Sequence, residues 1–432
     1  MGELKGKRLL VLGGNPWFPA IQQFVKDNEI TLIAAGNNEN NDLFRYADES
    51  YLVDSTDYAA MKQLITDKKI DGVYMGGTEP VISVACEYIN ELGLPCYCNK
   101  TQWEYLQNKR NFKELCIRVG LPVVPRYKVS AENCCLPEDV FPVITKPEDG
   151  SGSNGFSVCR NNDELKRGYE KAAQDSPTGS VIVERFVKNE GVVCFYTVSD
   201  GKVHFSGLSD KFPVKFQKQG SYVGGLFVYE SSFEREFREK FEGKIQEIVT
   251  ILGIKEGPFW IEVFRDNGVY YFNEVGFRYG GSVSVYSIDY LFGINQVAAD
   301  IYFALTGKSK IYGHPSMIGV TVPRKKHYAV YPVYLRPGEI GKVSGMDSLR
   351  AHTDIVTVIE KLGVGDVVRD KGSFGQVFAL VHFVFDDEDE LKAMLEWIHG
   401  EAIVTDVQNS SMIMKMLEIS GLTLPGVPAE GE

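Results

Sequence analysis

The first hundred residues alternate short apolar runs with amphipathic stretches. "RLLVLGG" (Arg8 to Gly14) is a run of buried-strand type ending in glycines, "AIQQFVKDN" follows as a helix and "ITLIAAG" as a second strand. "YAAMKQLITDKKI" then reads as helix, "DGVYMGG" as strand and "VISVACEYINELG" as a helix closed by Gly93. Such βαβ alternation predicts a parallel sheet with helices on its faces. The "LGGNPW" turn lacks the G-x-G-x-x-G spacing of a dinucleotide fingerprint. Gly13 and Gly14 therefore predict a tight strand-to-helix turn at the mouth of the sheet, where a substrate can sit.

The pattern then changes. Trp103, Leu106, Phe112, Leu115 and Val119 recur at near-helical spacing and predict one helix from Trp103 to Val119. "FPVITKP" (strand Phe141 to Lys146) and "SVIVERFV" (Ser180 to Val187) read as strands, and "VCFYTVSDGKVHFSGL" as a hairpin turning at Asp200-Gly201. Between Glu234 and Leu252, Phe237, Phe241, Ile245, Ile248 and Leu252 form one apolar stripe, the mark of a helix laid on a core. After Gly307 come short strands and turns, then the helix pattern "DEDELKAMLEWIHG".

Composition narrows the class. A chain of 432 residues exceeds one ordinary core, so two to four domains are expected. The net charge of −12 argues against a nucleic-acid backbone as partner. No apolar stretch approaches bilayer-spanning length, the first apolar run is too short for a signal core, and the "MG" start lacks Ser or Thr at the sixth position. A cytoplasmic protein without membrane partners is expected. The cysteines form no C-x-x-C pair and the histidines no H-x-x-x-H, so neither a disulfide framework nor a zinc site is expected.

Two segments carry candidate chemistry. "KPEDGSGSNGF" (Lys146 to Phe156) is a lysine followed by a loop of small residues. The lysine precedes the glycines, unlike a Walker loop, and a kinase also places its glycine loop before the strand lysine. "GPFWIEVFRDNGVYYFNEVGFRYGGS" (Gly257 to Ser282) reads as two strands flanking "DNG". A three-residue turn with Gly268 left-handed pairs Arg265 with Val269 and Glu262 with Phe272, which puts Glu262 on one face with Glu274. Such diagonal neighbours have Cβ atoms about 7–8 Å apart or somewhat less. Carboxylates that close repel unless a cation lies between them, and Mg²⁺ bridging to phosphates is the natural candidate. A two-residue Asn-Gly turn would move Glu262 to the other face. The alternative is a solvated acidic edge. Strand alternation also puts Arg278 on the face of Glu274, where it can reach a phosphoryl group.

The order of these pieces, Lys109 on a helix, Lys146 with its loop, "VIVERFV" and the acidic hairpin, resembles the ATP-grasp superfamily over roughly residues 1 to 310. The resemblance implies an N-terminal Rossmann-like domain (1–102) and a two-lobed ATP-grasp domain (103–310; lobes about 118–183 and 184–310). An α+β module (311–420) and a flexible tail (421–432) follow. It implies that Lys109 and Lys146 contact the phosphates and adenine pocket of ATP, and that the loop with Ser151, Gly152 and Ser153 closes over the phosphates. It assigns Glu184 and the backbone from Arg185 to Val187 to adenine and puts Glu190 near the ribose. Glu262 and Glu274 become ligands of Mg²⁺ or Mn²⁺, and Arg278 steadies an acyl phosphate. The family's usual E-x-N-P-R reads "EVGFR" here, so Gly276 replaces the asparagine that completes the metal site. Asn273, a strand neighbour of Glu274, points to the opposite face.

The implied chemistry joins a small-molecule carboxylate to an amine through an acyl phosphate, as in L-amino acid ligases; a homodimer is compatible with this. The alternatives are a bicarbonate-activating carboxylase or carbamoyl-phosphate-synthase-like enzyme, and an ATP-binding protein that lost turnover through Gly276. Lys211 in "SDKF" has two readings, a substrate contact and, the one expected, an exposed structural lysine, and "YGGS" offers backbone N–H groups to a second carboxylate.

Overall fold

The computed structural model describes residues 2–13, 17–38, 42–148, 155–188, 190–217, 221–311 and 325–425. The N-terminal sheet has strands β1 (Arg8–Leu12), β2 (Thr31–Gly36), β3 (Glu49–Leu52) and β4 (Gly72–Tyr74), ordered β3-β2-β1-β4 with every pairing parallel. β1, β2 and β4 are largely buried apolar runs, as the sequence pattern required, whereas the edge strand β3 alternates half-buried and exposed residues. Gly72 has a further reason. The helix Gln296–Thr306 lies so close to β4 that a Cβ at residue 72 would meet the Ala304 carbonyl oxygen at 2.3 Å.

A second sheet is antiparallel, with strands β5 (Arg126–Tyr127), β6 (Val143–Pro147), β7 (Ser157–Cys159) and β8 (Val181–Arg185) in the order β5-β8-β6-β7. The largest sheet begins with β9 (Gly191–Ser199), β10 (Lys202–Lys215), β11 (Tyr222–Tyr229), β12 (Gly257–Asp266) and β13 (Val269–Gly276). Downstream come β14 (His327–Leu335), β15 (Gly338–Ser344), β16 (Ile355–Glu360), β17 (Val367–Val368), β18 (Val377–Phe385), β19 (Ile403–Asp406) and β20 (Ile413–Met414). The spatial order is β13-β12-β9-β10-β11-β14-β18-β16, with β20 on β14, while β17-β15-β19 form a small sheet. The strands after residue 325 therefore extend the sheet that begins at β9, through the antiparallel β11–β14 pairing.

The helix Glu234–Ile251 buries Phe237, Phe241, Ile245 and Ile248 against the large sheet, where the rings of Phe237 and Phe241 meet Tyr270 and Phe272. The same core includes Ile82, Tyr88 and Tyr97 of the N-terminal region, so the first domain and the large sheet share one apolar interior. The helix expected from Trp103 to Val119 is two helices, Lys100–Gln107 and Lys109–Arg118. Asn108 breaks it: its extended backbone closes the first helix, and its side chain accepts hydrogen bonds from the Arg110 and Asn111 amides to cap the second. Of the segment read as a flexible tail, residues 421–425 are docked. Leu422 and Leu424 are buried, and the Leu424 amide donates to Glu388. Apolar side chains outweigh the Gly-Pro composition there.

Among the described residues, no helix is long and apolar enough to cross a membrane.

Candidate functional site

A cleft of about 410 Å³ opens between the β5–β8 sheet and the β9–β13 face of the large sheet. Lys109, Lys146, Glu184, Arg185, Val187, Glu262, Glu274 and Arg278 line it. Ser151, Gly152 and Ser153 lie outside the described residues. Glu190 is not among the lining residues. Its side chain is exposed, and its carbonyl accepts the Arg265 amide at 3.0 Å.

The acidic hairpin is built differently from the sequence expectation. Asn267 and Gly268 both have positive φ, 49° and 77°, so the turn has two residues and Asp266 pairs with Val269. That turn matches the twist of the flanking strands better than a longer loop. Alone, it would send Glu262 to the far face. A β-bulge restores the site: Val263 pairs with Phe272 and Glu262 with Glu274, leaving Asn273 as the extra residue. Glu262 and Glu274 therefore stand directly opposite each other. The bulge also turns Asn273, expected on the opposite face, into the cleft. Its Nδ2 donates to Glu262 Oε2 at 2.7 Å, and its Oδ1 accepts from Lys146 at 3.5 Å.

Lysines hold both carboxylates. Lys211 Nζ pairs with Glu262, and Lys109 Nζ lies 3.8 Å from Glu274. Lys211 is buried in the cleft wall, which corrects its reading as an exposed structural lysine. Burial by itself would raise the Glu262 pKa, but the charge of Lys211 and the donors around it hold it below the ordinary value. Two oxygen-bearing carboxylates with a third oxygen donor, Asn273, beside them fit a hard divalent ion. Gly276 cannot contribute. A Cβ there would lie 2.4 Å from the Trp260 indole, which fills the room an asparagine would need.

The small-sheet wall carries a second charge cluster. Glu184 is buried; it accepts from Lys113 and lies 3.0 Å from Lys146. Burial opposes ionisation, yet Lys146 and Lys113 together pull its carboxyl down to about 2. Lys113 is itself pushed down to about 8, first by burial and then by the neighbouring charge of Lys146. Sequence reading missed Lys113; its spacing of one helical turn from Lys109 was the available signal. Arg185 lies 3.3 Å from Asp266 and over the Tyr271 ring, while the Arg185 amide donates to the Pro125 carbonyl.

At the other end, Arg278 is fixed from two sides. Its Nε and Nη2 donate to Glu79 Oε1 at 3.0 and 2.6 Å, and its Nη1 donates to the Tyr279 carbonyl at 2.8 Å. Its guanidinium lies 5.3 Å from the centre of the Trp260 ring. Glu79 opens the helix Glu79–Glu91 of the N-terminal domain, so a residue 199 positions away orients this arginine. Nothing local in the sequence marks that pair. Gly280, Gly281 and Ser282 of "YGGS" also line the cleft.

Residues 139–285 match the family model of the ATP-grasp domain. The chain is 24% identical over 286 residues to a formate-dependent phosphoribosylglycinamide formyltransferase of Bacillus velezensis, which covers 63% of this chain and 71% of the relative. An L-amino acid ligase from Bacillus licheniformis superposes with a TM-score of 0.72 at 19% identity, over 93% of this chain and 99% of that one. The biotin carboxylase domain of the Hydrogenobacter thermophilus 2-oxoglutarate carboxylase, solved with MgADP and bicarbonate, gives 0.72 at 17% identity over 94% and 91%. These likenesses establish the fold.

Proposed function

We propose that this chain, whose residues 139–285 match the ATP-grasp domain, is an ATP-dependent carboxylate–amine ligase with an amino acid as one substrate. The observation that carries this is the direct pairing of Glu262 with Glu274 in a cleft that also holds Lys146 and Arg278.

In this reading a substrate carboxylate oxygen attacks the γ-phosphorus of ATP, ADP departs and an acyl phosphate forms. The amine nitrogen then attacks the carbonyl carbon and loses a proton. The C–O bond breaks, and phosphate leaves with the former carboxylate oxygen. Glu262 and Glu274, with Asn273 beside them, would hold Mg²⁺, which when bound would supply charge neutralisation to the phosphates. Glu184 and Asn273 hold Lys146 over the cleft from two sides, so its ammonium is positioned before nucleotide arrives. Lys109 and Lys211 leave their carboxylate partners for phosphate or substrate oxygens. Arg278, pinned by Glu79, faces the developing acyl phosphate without a reorganisation cost. The "YGGS" backbone receives a second carboxylate.

The test is Mg²⁺-dependent ADP release across a panel of amino acids, singly and in pairs, with bicarbonate alongside. ADP release that requires an amino acid, and that falls by about 10³-fold in Glu274→Gln, is expected. Release with bicarbonate alone would favour the carboxylase reading instead.

A further inference from the structure

Row by row, the cleft face of the large sheet separates charge from apolar surface. Glu274, Glu262 and Val193 form one cross-strand row; Gly276, Trp260 and Phe195 form the next. Two residues along a strand amount to about 7 Å. The apolar row therefore starts one side-chain length from the carboxylates, on the side where Arg278 lies over the indole. Phe227, opposite Lys211 in the β10–β11 pairing, and Val223 also line the cleft, and Phe374 faces it from the far side, with its ring 4.0 Å from a Cβ position at Gly281.

Phe374 is held by a built loop. It opens the short helix Phe374–Gln376, where buried Gln376 accepts from the Gly372 amide and donates to the Leu335 carbonyl, at 2.7 and 2.9 Å. Ser221, beside β11, donates to the Gly372 carbonyl and ties this loop to the cleft. The Trp260 Nε1 is buried and has no hydrogen-bond partner. Of the charged groups around the chamber, Arg278 pairs with Glu79, Lys211 with Glu262 and Lys109 with Glu274, while Lys361 Nζ lies 4.9 Å from the centre of the Phe374 ring. The rings of Trp260, Phe195 and Phe374 suit an apolar side chain, whose burial against them is favourable, better than a charged one, whose desolvation costs.

We propose that the chamber between Trp260, Phe195, Phe227 and Phe374 receives the side chain of the amino-acid substrate, and that this side chain is bulky and apolar, of leucine or phenylalanine type. Gly276 belongs to this device. Its missing Cβ leaves room for the Trp260 indole, which lies 2.4 Å from where that Cβ would stand. The inference rests on the ligase reading only for the placement of the substrate carboxylate beside Arg278.

The experiment is calorimetric titration of the full chain, saturated with Mg²⁺ and a non-hydrolysable ATP analogue, with L-phenylalanine, L-leucine, glycine, L-glutamate and L-lysine. Burial of a large apolar side chain predicts phenylalanine and leucine binding about tenfold or more tighter than the other three. Phe374→Ala is expected to weaken phenylalanine about fivefold, with Phe374→Leu recovering part of the loss and the analogue's own affinity held within about twofold as the control for folding. Glycine, glutamate or lysine binding as tightly as phenylalanine overturns the proposal, as does failure of every amino acid to bind. Phenylalanine binding without ADP release when ATP replaces the analogue leaves the chamber standing and removes the ligase reading. ADP release driven only by charged amino acids does the reverse.

Discussion

Glu184, buried in the lysine-bearing wall of the cleft, and Asp300, half-buried beside Tyr279, are carboxylates that the protein treats in opposite ways. Burial pushes each towards its neutral form. Around Glu184 the charges of Lys146 and Lys113 overcome that push and pull the carboxyl down to about 2. Around Asp300 the opposing contact is the Tyr279 hydroxyl, which donates to it at 2.8 Å, and burial drives it up to about 7. A neutral donor cannot offset desolvation as two ammonium groups can. The surroundings of Glu184 thus keep a carboxylate charged, and those of Asp300, with Tyr279 packed on Trp17 at 4.8 Å, favour the neutral acid.

The strongest way to break this contrast is Glu184→Gln. It leaves Lys113 buried without its counter-charge and is expected to cost about 3–5 kcal/mol at pH 7, read by denaturant unfolding. The folded pKa of Glu184 lies below its unfolded value, so its contribution is present above about pH 4.5 and is lost as pH falls towards about 2. The difference between wild type and variant should shrink across that window. A constant difference from pH 7 to pH 3 would mean that packing, not charge, is at stake.

Gly276→Asn tests the apolar wall. An asparagine Cβ would lie 2.4 Å from the indole, so the substitution is expected to destabilise by about 1–3 kcal/mol. Trp260→Ala in the same chain should relieve part of that cost, and additive losses would show that the two positions do not compete.

The smallest effect concerns Asp300→Asn. The folded pKa of Asp300 lies above its unfolded value, so stability is full below about pH 3.8 and is lost as pH rises through about 7. Asp300 is partly accessible, which reduces the expected gain of the asparagine variant at pH 8 to about 1–2 kcal/mol. That gain should vanish at low pH; equal gains at pH 4 and pH 8 would contradict the raised pKa.

What the sequence disclosed follows the range of the forces involved. The parallel sheet and the Glu234–Ile251 helix were legible because local periodicity encodes them. The carboxylate pair was reached through an incorrect turn. "DNG" permits two- and three-residue turns, and the bulge at Asn273 that sets the true register has no local signature. That single extra residue also converted Asn273 from an outward side chain into a cleft donor. Lys211, Lys113 and Glu79 enter the site through partners 51, 71 and 199 positions away, distances at which a single sequence carries no pairing information.

The most direct test of the central claim follows oxygen. An amino-acid substrate labelled with ¹⁸O in its carboxylate is turned over with MgATP and an amine acceptor, and the released phosphate is analysed by mass. Acyl-phosphate chemistry in this cleft predicts one ¹⁸O in each phosphate, because the leaving group carries the former carboxylate oxygen. Phosphate released without label would contradict the account, since ATP would then have been split by water.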